Sequence, residues 1–277
     1  MKQTDDRGFA LLVVLWSLVL ITFLTTQILG AGRTALALAG NLRDAAAASA
    51  RADGAINEAI FHVVASGADH WAADGNPRVI ASGDSIVTVR IESLAGQINP
   101  NLASTALLTG LFQALGAAPA QAGALATAII EWRSPAVSND EAKARLAAYQ
   151  SAGLPFGPPS RAFADLSALS DVIGMPPALL AKALPHMSLY QSGDPDPMLA
   201  DVVVHQALSL SGQAGSNSNV FEGNAPVVEI RAEVQGPGEL AVRRIATVSI
   251  TGANGSAPFK ILSLMDDSSA AASKTDP

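Results

Sequence analysis

The stretch RGFALLVVLWSLVLITFL at residues 7–24 decides the fold of this 277-residue chain. No residue between Phe9 and Gly32 carries a charge, and a run of that length matches the roughly 20 residues that a bilayer-spanning helix needs. A backbone surrounded by hydrocarbon must form its hydrogen bonds internally, so we expect a helix here. Phe9, Trp16 and Phe23 recur every seven residues and therefore fall near one stripe of that helix.

An N-terminal apolar run is also typical of secretory signals and of plain membrane anchors. A secretory signal has a positively charged leader, an apolar core of about 7–15 residues and a small-residue cleavage site. In this leader the charges cancel, because Lys2 and Arg7 stand against Asp5 and Asp6. The apolar core is also longer than a signal requires. Both alternatives stay open beside a third one that rests on the residues around Gly8.

The Gly8-Phe9 junction directly before the aliphatic run resembles the class III signal of type IV prepilins and type II secretion pseudopilins. The resemblance implies that a prepilin peptidase cuts between Gly8 and Phe9 and methylates the new N-terminal residue. Most members carry a glutamate at the fifth mature position, where this chain has Val13. An unpaired carboxylate is costly in a membrane, so its absence suits a filament tip, where no subunit lies ahead to present an amine. Val13 and the run ALLVVLW at 10–16 resemble the minor pseudopilin K family.

The composition limits what else the chain can be. It contains no cysteine, so it has neither a disulfide framework nor a thiolate metal site. With 17 basic against 24 acidic residues, its net charge of −7 makes it a poor electrostatic partner for nucleic acid. No second uncharged run of membrane length follows the first. We therefore expect a single-pass protein of the bacterial inner membrane, with its N-terminus cytoplasmic and its C-terminal domain periplasmic.

Periodicity and turn chemistry organise the rest of the chain. The alanine-rich sequence stays helical to about residue 64, with an apolar stripe at Leu36, Leu42, Ile56, Ile60 and Val63. Alternation of polar and apolar residues predicts a strand pair over 78–93 and three further strands at 227–234, 240–250 and 259–264. Helical periodicity dominates between the two groups of strands. The early and late strands thus enclose a helical insert.

We therefore predict an α+β fold, in which a long N-terminal transmembrane/filament helix packs on an antiparallel sheet that carries a large all-helical insert. This is the pseudopilin fold that the resemblance implies. The predicted divisions are a prepilin leader at 1–8, a long helix at 9–66 with its membrane span at 9–32, an α+β domain at 67–99 and 211–265, an inserted helical domain at 100–210, and a disordered tail at 266–277.

Three segments of the insert also resemble the protein K family. GQINPNLAS at 96–104 resembles the element where extended structure gives way to the insert, with Asn101 in a candidate N-cap region; a plain polar turn is the alternative. EWRS at 131–134 stands where the family usually has an acidic DWID element, which argues against an acidic ligand role there. Residues 163–190 resemble the family's two short helices, capped by Asp165 or Ser167, and a further helix is predicted at 198–208.

Candidate chemical sites are few. The four histidines, His62, His70, His186 and His205, are far apart and lack metal-ligand spacing, so we interpret them as structural. The three aspartates Asp194, Asp196 and Asp201 could offer oxygen ligands to Ca²⁺. They lack the dense loop pattern of a calcium site, and we interpret them as caps at a helix start. We predict no catalytic residue, no cofactor and no metal ligand, with calcium binding as the alternative that stays open.

Residues 169–184 have the hydrophobic-Gly-hydrophobic order of a helix-hairpin-helix DNA-binding module. Such a module places backbone amides and basic side chains against phosphate. Lys182 is the only basic residue in this window. The sequence therefore favours a packing role for it.

The sequence thus predicts a non-enzymatic minor pseudopilin at the tip of a type II secretion pseudopilus, which initiates assembly and helps export folded proteins across the outer membrane. The resemblance implies as partners other minor pseudopilins of the I and J types, the major pseudopilin, the prepilin peptidase and the inner-membrane assembly platform, and no nucleic acid. The alternatives are a minor pilin of a type IV pilus, a membrane-anchored periplasmic enzyme and a DNA-binding module.

Overall fold

The computed structural model describes residues 6–82, 85–212, 226–235, 241–251 and 257–266; within its first helix, the side chains of residues 6–8, 10 and 27–34 are not described. The helices are α1 (Asp6–Val64), α2 (Thr105–Ala114), α3 (Pro119–Arg133), α4 (Asn139–Ser151), α5 (Pro177–Ala183) and α6 (Val202–Leu210). The strands are β1 (Arg78–Ser82), β2 (Ser85–Ser93), β3 (Val227–Gln235), β4 (Ala241–Ile250) and β5 (Phe259–Asp266). Short 3₁₀ turns lie at Gly67–Asp69, Leu166–Asp171 and Leu184–His186.

The described strands form one antiparallel sheet in the order β1-β2-β3-β4-β5. Side chains alternate between its faces, as the period-two sequence predicts. On β2, Val87, Val89 and Ile91 are buried while Arg90 is exposed. β2 and β3 are direct neighbours, with Ile91 opposite Ile230, although helices α2–α6 lie between them in sequence. The predicted α+β fold with a helical insert is confirmed.

Helix α1 packs across β2, β3 and β4 with its C-terminal part only. Its buried face is mostly alanine and begins at Ala48, continuing through Ala52, Ala55, Ile56, Ala59 and Ile60. The small side chains let the helix lie close to the sheet. The first residues of the predicted apolar stripe do not reach this core, since Leu36 and Leu42 are 76% and 62% exposed. The sheet does not extend far enough along α1 to cover them.

The insert has its own hydrophobic core. Leu107, Leu108, Leu111 and Phe112 of α2 are buried against residues of α3, α5 and α6. The core of the sheet domain forms a separate cluster from α1, β2, β3 and β4. The predicted divisions of the chain into domains stay predictions, but two cores are what such a division requires.

Three local predictions within the insert were wrong. Asn101 is not the cap of α2; Ser104 is, since its side chain accepts a hydrogen bond from the Leu107 amide. The first of the two short helices is a 3₁₀ turn, Leu166–Asp171, although Asp165 caps it as predicted by accepting from Ser167. The helix expected from residue 198 begins at Val202, because the Asp201 side chain caps it there.

The predicted membrane span at 9–32 includes residue 10 and residues 27–32, whose side chains lie outside the described set. Across the described residues, no helix is both long and apolar enough to cross a membrane. Other predictions fall outside the described residues as well: leader residues 1–5, most of the 211–219 loop, the 236–239 turn and the tail beyond Asp266.

Candidate assembly surfaces

We define the stem as residues 9–44 of α1, and its described side chains are exposed on every side of the helix. Six consecutive residues from Leu11 to Trp16 cover the full circumference of the helix, and their exposed fractions lie between 49% for Val13 and 74% for Leu11. None of the described stem side chains is buried. At 1.5 Å per residue the stem is about 55 Å long. A helix that is apolar all round is stable when lipid or other protein covers it.

The described hydroxyl groups of the stem are satisfied within the helix itself. Ser17, Thr22, Thr25 and Thr26 each donate to the carbonyl oxygen four residues earlier, at 2.8, 2.8, 2.7 and 2.8 Å. These side chains therefore leave no donor that needs water. That arrangement is what an apolar environment requires, because unsatisfied polar groups are costly there.

The predicted processing residues lie at the start of α1. Gly8 and Phe9 are in its first turns, and the Phe9 side chain is exposed. Phe9 and Val13 line a shallow groove of about 420 Å³ with Leu12, Trp16, Ser17 and Leu20. The groove contains no charged side chain. Cleavage after Gly8 and the tip role of Val13 stay predictions.

The GQINPNLAS segment joins the sheet to both ends of the insert. Ile98 forms a parallel bridge with Met187, and its amide donates to the His186 carbonyl at 2.9 Å. Asn99 is buried, and its side-chain amide donates to the backbone carbonyls of Leu189 and Gln191, at 3.0 and 2.6 Å. These bonds join residues that are about 90 positions apart in the sequence. The segment is therefore a structural junction and not a plain polar turn.

Asn101 has a similar role deeper in the insert. Its side-chain amide donates to the Phe163 carbonyl at 2.9 Å, and its side-chain oxygen accepts from the Phe163 amide at 2.7 Å. Both backbone groups of one buried residue are thus satisfied by one side chain. The two asparagines of the motif are used for tertiary contacts, which the N-cap interpretation did not foresee.

The EWRS segment is held by arginines and aromatic packing. Trp132 stacks on Phe163 with ring centroids 5.6 Å apart. Arg133 donates to the carbonyls of Pro100 and Ala103, at 2.5 and 2.8 Å, and burial lowers the pKa of its guanidinium. Arg145 donates to the carbonyls of Glu131 and Ser134, at 3.0 and 2.9 Å. Sequence reasoning missed both arginines, because the carbonyls they bond lie 30 and 33 residues from Arg133 and 14 and 11 residues from Arg145.

Two of the three aspartates considered for calcium, Asp196 and Asp201, bond to protein groups through their side chains. Asp201 accepts from the Val203 and Val204 amides and lies 2.6 Å from His186 Nδ1. Burial opposes its ionisation, but these hydrogen bonds hold the pKa of its carboxyl below the usual value. Asp196 accepts from the Met198 amide at 2.9 Å. No group of three or more His, Cys, Asp or Glu that could hold a metal ion occurs among the described residues.

Two of the histidines support the chain reversal after α1. His62 stacks on Trp71 with ring centroids 4.0 Å apart, and its Nδ1 lies 2.7 Å from the Asp69 carbonyl oxygen. His70 Nδ1 lies 3.1 Å from the carbonyl oxygen of Ala65. His205 lies exposed within α6. The histidines do not come together in a common site.

The window that resembles a DNA-binding module packs into the insert core. Leu169, Val172, Leu179 and Leu180 are buried there, and Gly174 supplies the turn with a φ of +78°. A positive φ favours glycine because it has no Cβ. The apolar residues of the window therefore build the insert.

Comparisons with known proteins agree with this architecture. Residues 89–192 match the sequence model of a family described as "Type II secretion system (T2SS), protein K". The fold is similar to a chain in the crystal structure of the GspK-GspI-GspJ complex from the type 2 secretion system of enterotoxigenic Escherichia coli. The similarity has a TM-score of 0.59 at 15% identity and covers 82% of this chain and 97% of that chain. No curated protein matches the sequence.

The family match covers residues 89–192, from within β2 through most of the insert. Together with the similar fold, it supports the resemblance of this chain to the minor pseudopilin K family.

Proposed function

We propose that the chain is the tip subunit of a type II secretion pseudopilus, where it initiates assembly and helps export folded proteins across the outer membrane. A prepilin peptidase cuts after Gly8 and methylates Phe9. The stem enters the inner membrane with its N-terminus in the cytoplasm, and the sheet domain and insert lie in the periplasm. The subunit then leaves the membrane and packs its stem into the filament.

The observation that carries this proposal is the exposed stem, uncharged from Phe9 to Gly32, joined to a folded domain. The described stem residues have no partner within the chain, and their hydroxyl groups are already satisfied. Burying one leucine, valine or phenylalanine side chain contributes about 1.5–3 kcal/mol. The stem therefore has a large affinity for a membrane and for other apolar helices.

The position of the insert supports a place at the tip. The chain turns back directly after α1, since the Trp71 amide donates to the His62 carbonyl at 3.0 Å. β2 ends at the same side of the domain, where Glu92 bridges Asp74. The insert therefore leaves the sheet at the end opposite the stem. In a filament it would occupy the space that the next subunit's domain needs, which suits a subunit with no successor.

Val13 supports the same position. A glutamate in an apolar helix needs a paired positive charge, and a subunit at the tip has no amine of a preceding subunit to pair with. The proposed partners are other minor pseudopilins of the GspI and GspJ types, the major pseudopilin, the prepilin peptidase and the inner-membrane assembly platform. The work of the subunit is mechanical, so the proposal assigns no catalytic residue.

Mass spectrometry of the membrane-extracted protein tests the processing step. We expect a mature chain that begins at methylated Phe9; an intact Met1, or cleavage well beyond Leu24, would overturn the prepilin assignment. Gold-labelled antibodies against the insert test the position. We expect label at one end of sheared pseudopili and loss of folded-protein export when the gene is deleted, whereas label along the whole filament would refute the tip position.

A further inference from the structure

The sheet has a second face, opposite the one that α1 covers, and we define it as the outer face. α1 packs on the face that carries the buried Val87 of β2. Because side chains alternate along a strand, Ile86, Thr88 and Arg90 point to the outer face. Val79 lies opposite Thr88 on β1 and therefore points the same way. Ile86 and Val79 are 57% and 68% exposed, so the outer face presents apolar side chains to water.

Three arginines meet on the outer face. Arg90, Arg231 and Arg243 line a shallow depression of about 330 Å³, together with Thr88 and Glu233. The arginines come from the three neighbouring strands β2, β3 and β4. The lining of the depression therefore holds three guanidinium groups and one carboxylate. Guanidinium groups in this arrangement favour a ligand that carries a carboxylate or another anionic group.

Two of these arginines form a like-charged pair across adjacent strands. Arg90 and Arg231 lie directly opposite one another in β2 and β3, an arrangement that destabilises a sheet. The charge of Arg231 is compensated, because its guanidinium lies 2.9 Å from Glu92 and 2.5 Å from Glu229. Arg90 forms no ion pair with any described residue, and its guanidinium donates to the Gly75 carbonyl at 3.3 Å. A like-charged pair of this kind is a local conflict of the sort that is expected at functional sites.

Charged and apolar groups occupy different parts of the outer face. Glu92 and Glu229 lie two positions from the arginine pair, on the side of the insert. Ile86 lies four residues from Arg90 in the opposite direction, about 13 Å along the strand. Val79 lies on the neighbouring strand at a position between them. A carboxylate bound at Arg90 would therefore have apolar surface on the side that faces away from the glutamates.

We propose that the outer face binds an acidic segment of another protein, an inference that goes beyond the proposed function. Arg90 holds an aspartate or glutamate carboxylate of that segment through two parallel N–H···O bonds, and an apolar side chain of the segment packs on Ile86 and Val79. The bound carboxylate also offsets the repulsion between Arg90 and Arg231. A free anion would leave the apolar part of the face unused, and an exposed ion pair alone contributes little. Nucleic acid fits poorly, because the chain carries a net charge of −7.

Photo-crosslinking of the full-length protein in cells that produce it tests the proposal. The chain has no cysteine, so Ala81→Cys, which is exposed and lies opposite Ile86, takes a benzophenone label at a single site. We expect adducts with a different protein, in a segment where an apolar residue lies close to an aspartate or glutamate. The adduct yield should fall about tenfold when Arg90→Glu is added, because attraction becomes repulsion. Arg161→Glu is the matched control, since it changes the net charge equally at an exposed position of the insert, and it should leave the yield unchanged.

The same substitution separates binding from folding. A glutamate at position 90 would face Arg231 as an opposite-charge pair, so the urea midpoint of Arg90→Glu should equal or exceed that of the natural sequence. A lower midpoint would overturn the inference, since it would show that Arg90 serves the fold. So would adducts that do not depend on Arg90, adducts only between copies of this chain, or binding of inorganic phosphate without any protein adduct. Failure of the proposed function would appear separately, as uncleaved protein or normal export after deletion of the gene.

Discussion

Two glycines inside helices of the insert should respond in opposite directions to the same substitution. Gly110 of α2 faces α6 so closely that an added Cβ would lie 2.5 Å from the Ala207 carbonyl oxygen. Gly123 of α3 has no heavy atom within 4 Å of such a Cβ. Neither glycine has a positive φ, so alanine is compatible with both backbones.

The magnitude follows from comparing the two variants. Replacing glycine by alanine inside a helix stabilises it by about 0.5–1 kcal/mol. This gain is common to both sites, so it cancels in the difference. At Gly110 the helices must separate by about 0.5 Å to bring the Cβ to a tolerable distance, and such overpacking costs roughly 1–3 kcal/mol. Gly110→Ala should therefore be less stable than Gly123→Ala by that overpacking cost.

Hydrogen exchange by mass spectrometry on the full-length protein in detergent measures the effect locally. The amides of α2 and α6 should exchange about 5- to 150-fold faster in Gly110→Ala than in Gly123→Ala. This factor is the overpacking cost converted into a ratio of the equilibrium constants for local opening. Gly123→Ala itself should exchange no faster than the natural sequence. Equal protection in the two variants would refute the close α2–α6 contact as the reason for glycine at 110.

Two further predictions concern side chains that bond to backbone groups. Asn101→Ala removes both partners of the Phe163 backbone. Each unsatisfied buried group costs about 1–3 kcal/mol, so the urea midpoint should fall clearly, while Thr127→Ala at an exposed position should leave it nearly unchanged. The pKa of the Asp201 carboxyl is lowered from its usual value of 3.8, so its ionised form stabilises the fold. This contribution is fully present at a pH above 3.8 and is lost as the pH falls through the lowered pKa. Asp201→Asn keeps a capping oxygen and should lose less stability between about pH 6 and pH 3; an equal loss would show that other groups set the acid response.

The sequence predicted the regular elements well because their signals are local. Alternation over 78–93 and 227–250 marks strands with one buried face, and the structure confirms it in Val89 and Ile230. The end of the stem could not be predicted in the same way. Both halves of α1 are helix formers with leucine or isoleucine at intervals, and only the extent of the sheet decides that burial begins at Ala48.

The candidate surfaces were predictable only in part. The apolar run after Gly8 identifies the stem, because this signal lies in the local sequence and does not depend on contacts with distant residues. The apolar surface beside Phe61 was not predicted, since it includes Pro258 and Phe259, which are far along the chain. One local sign was present: Phe61 follows the buried Ile60 directly and so cannot lie on the same face of the helix. The asparagines of GQINPNLAS were noticed, but their bonds to Phe163 and Leu189 depend on tertiary structure.

The division of labour along α1 explains how one helix can serve both folding and assembly. The sheet domain uses a face of alanines with Ile56 and Ile60, so its core closes without any stem residue. The apolar area of the described stem is therefore not consumed in folding, and it remains available to whatever covers it. The same separation lets the stem exchange lipid for protein contacts without unfolding the domain that it carries. The proposed function requires such an exchange from membrane to filament, and the burial pattern of α1 is compatible with it.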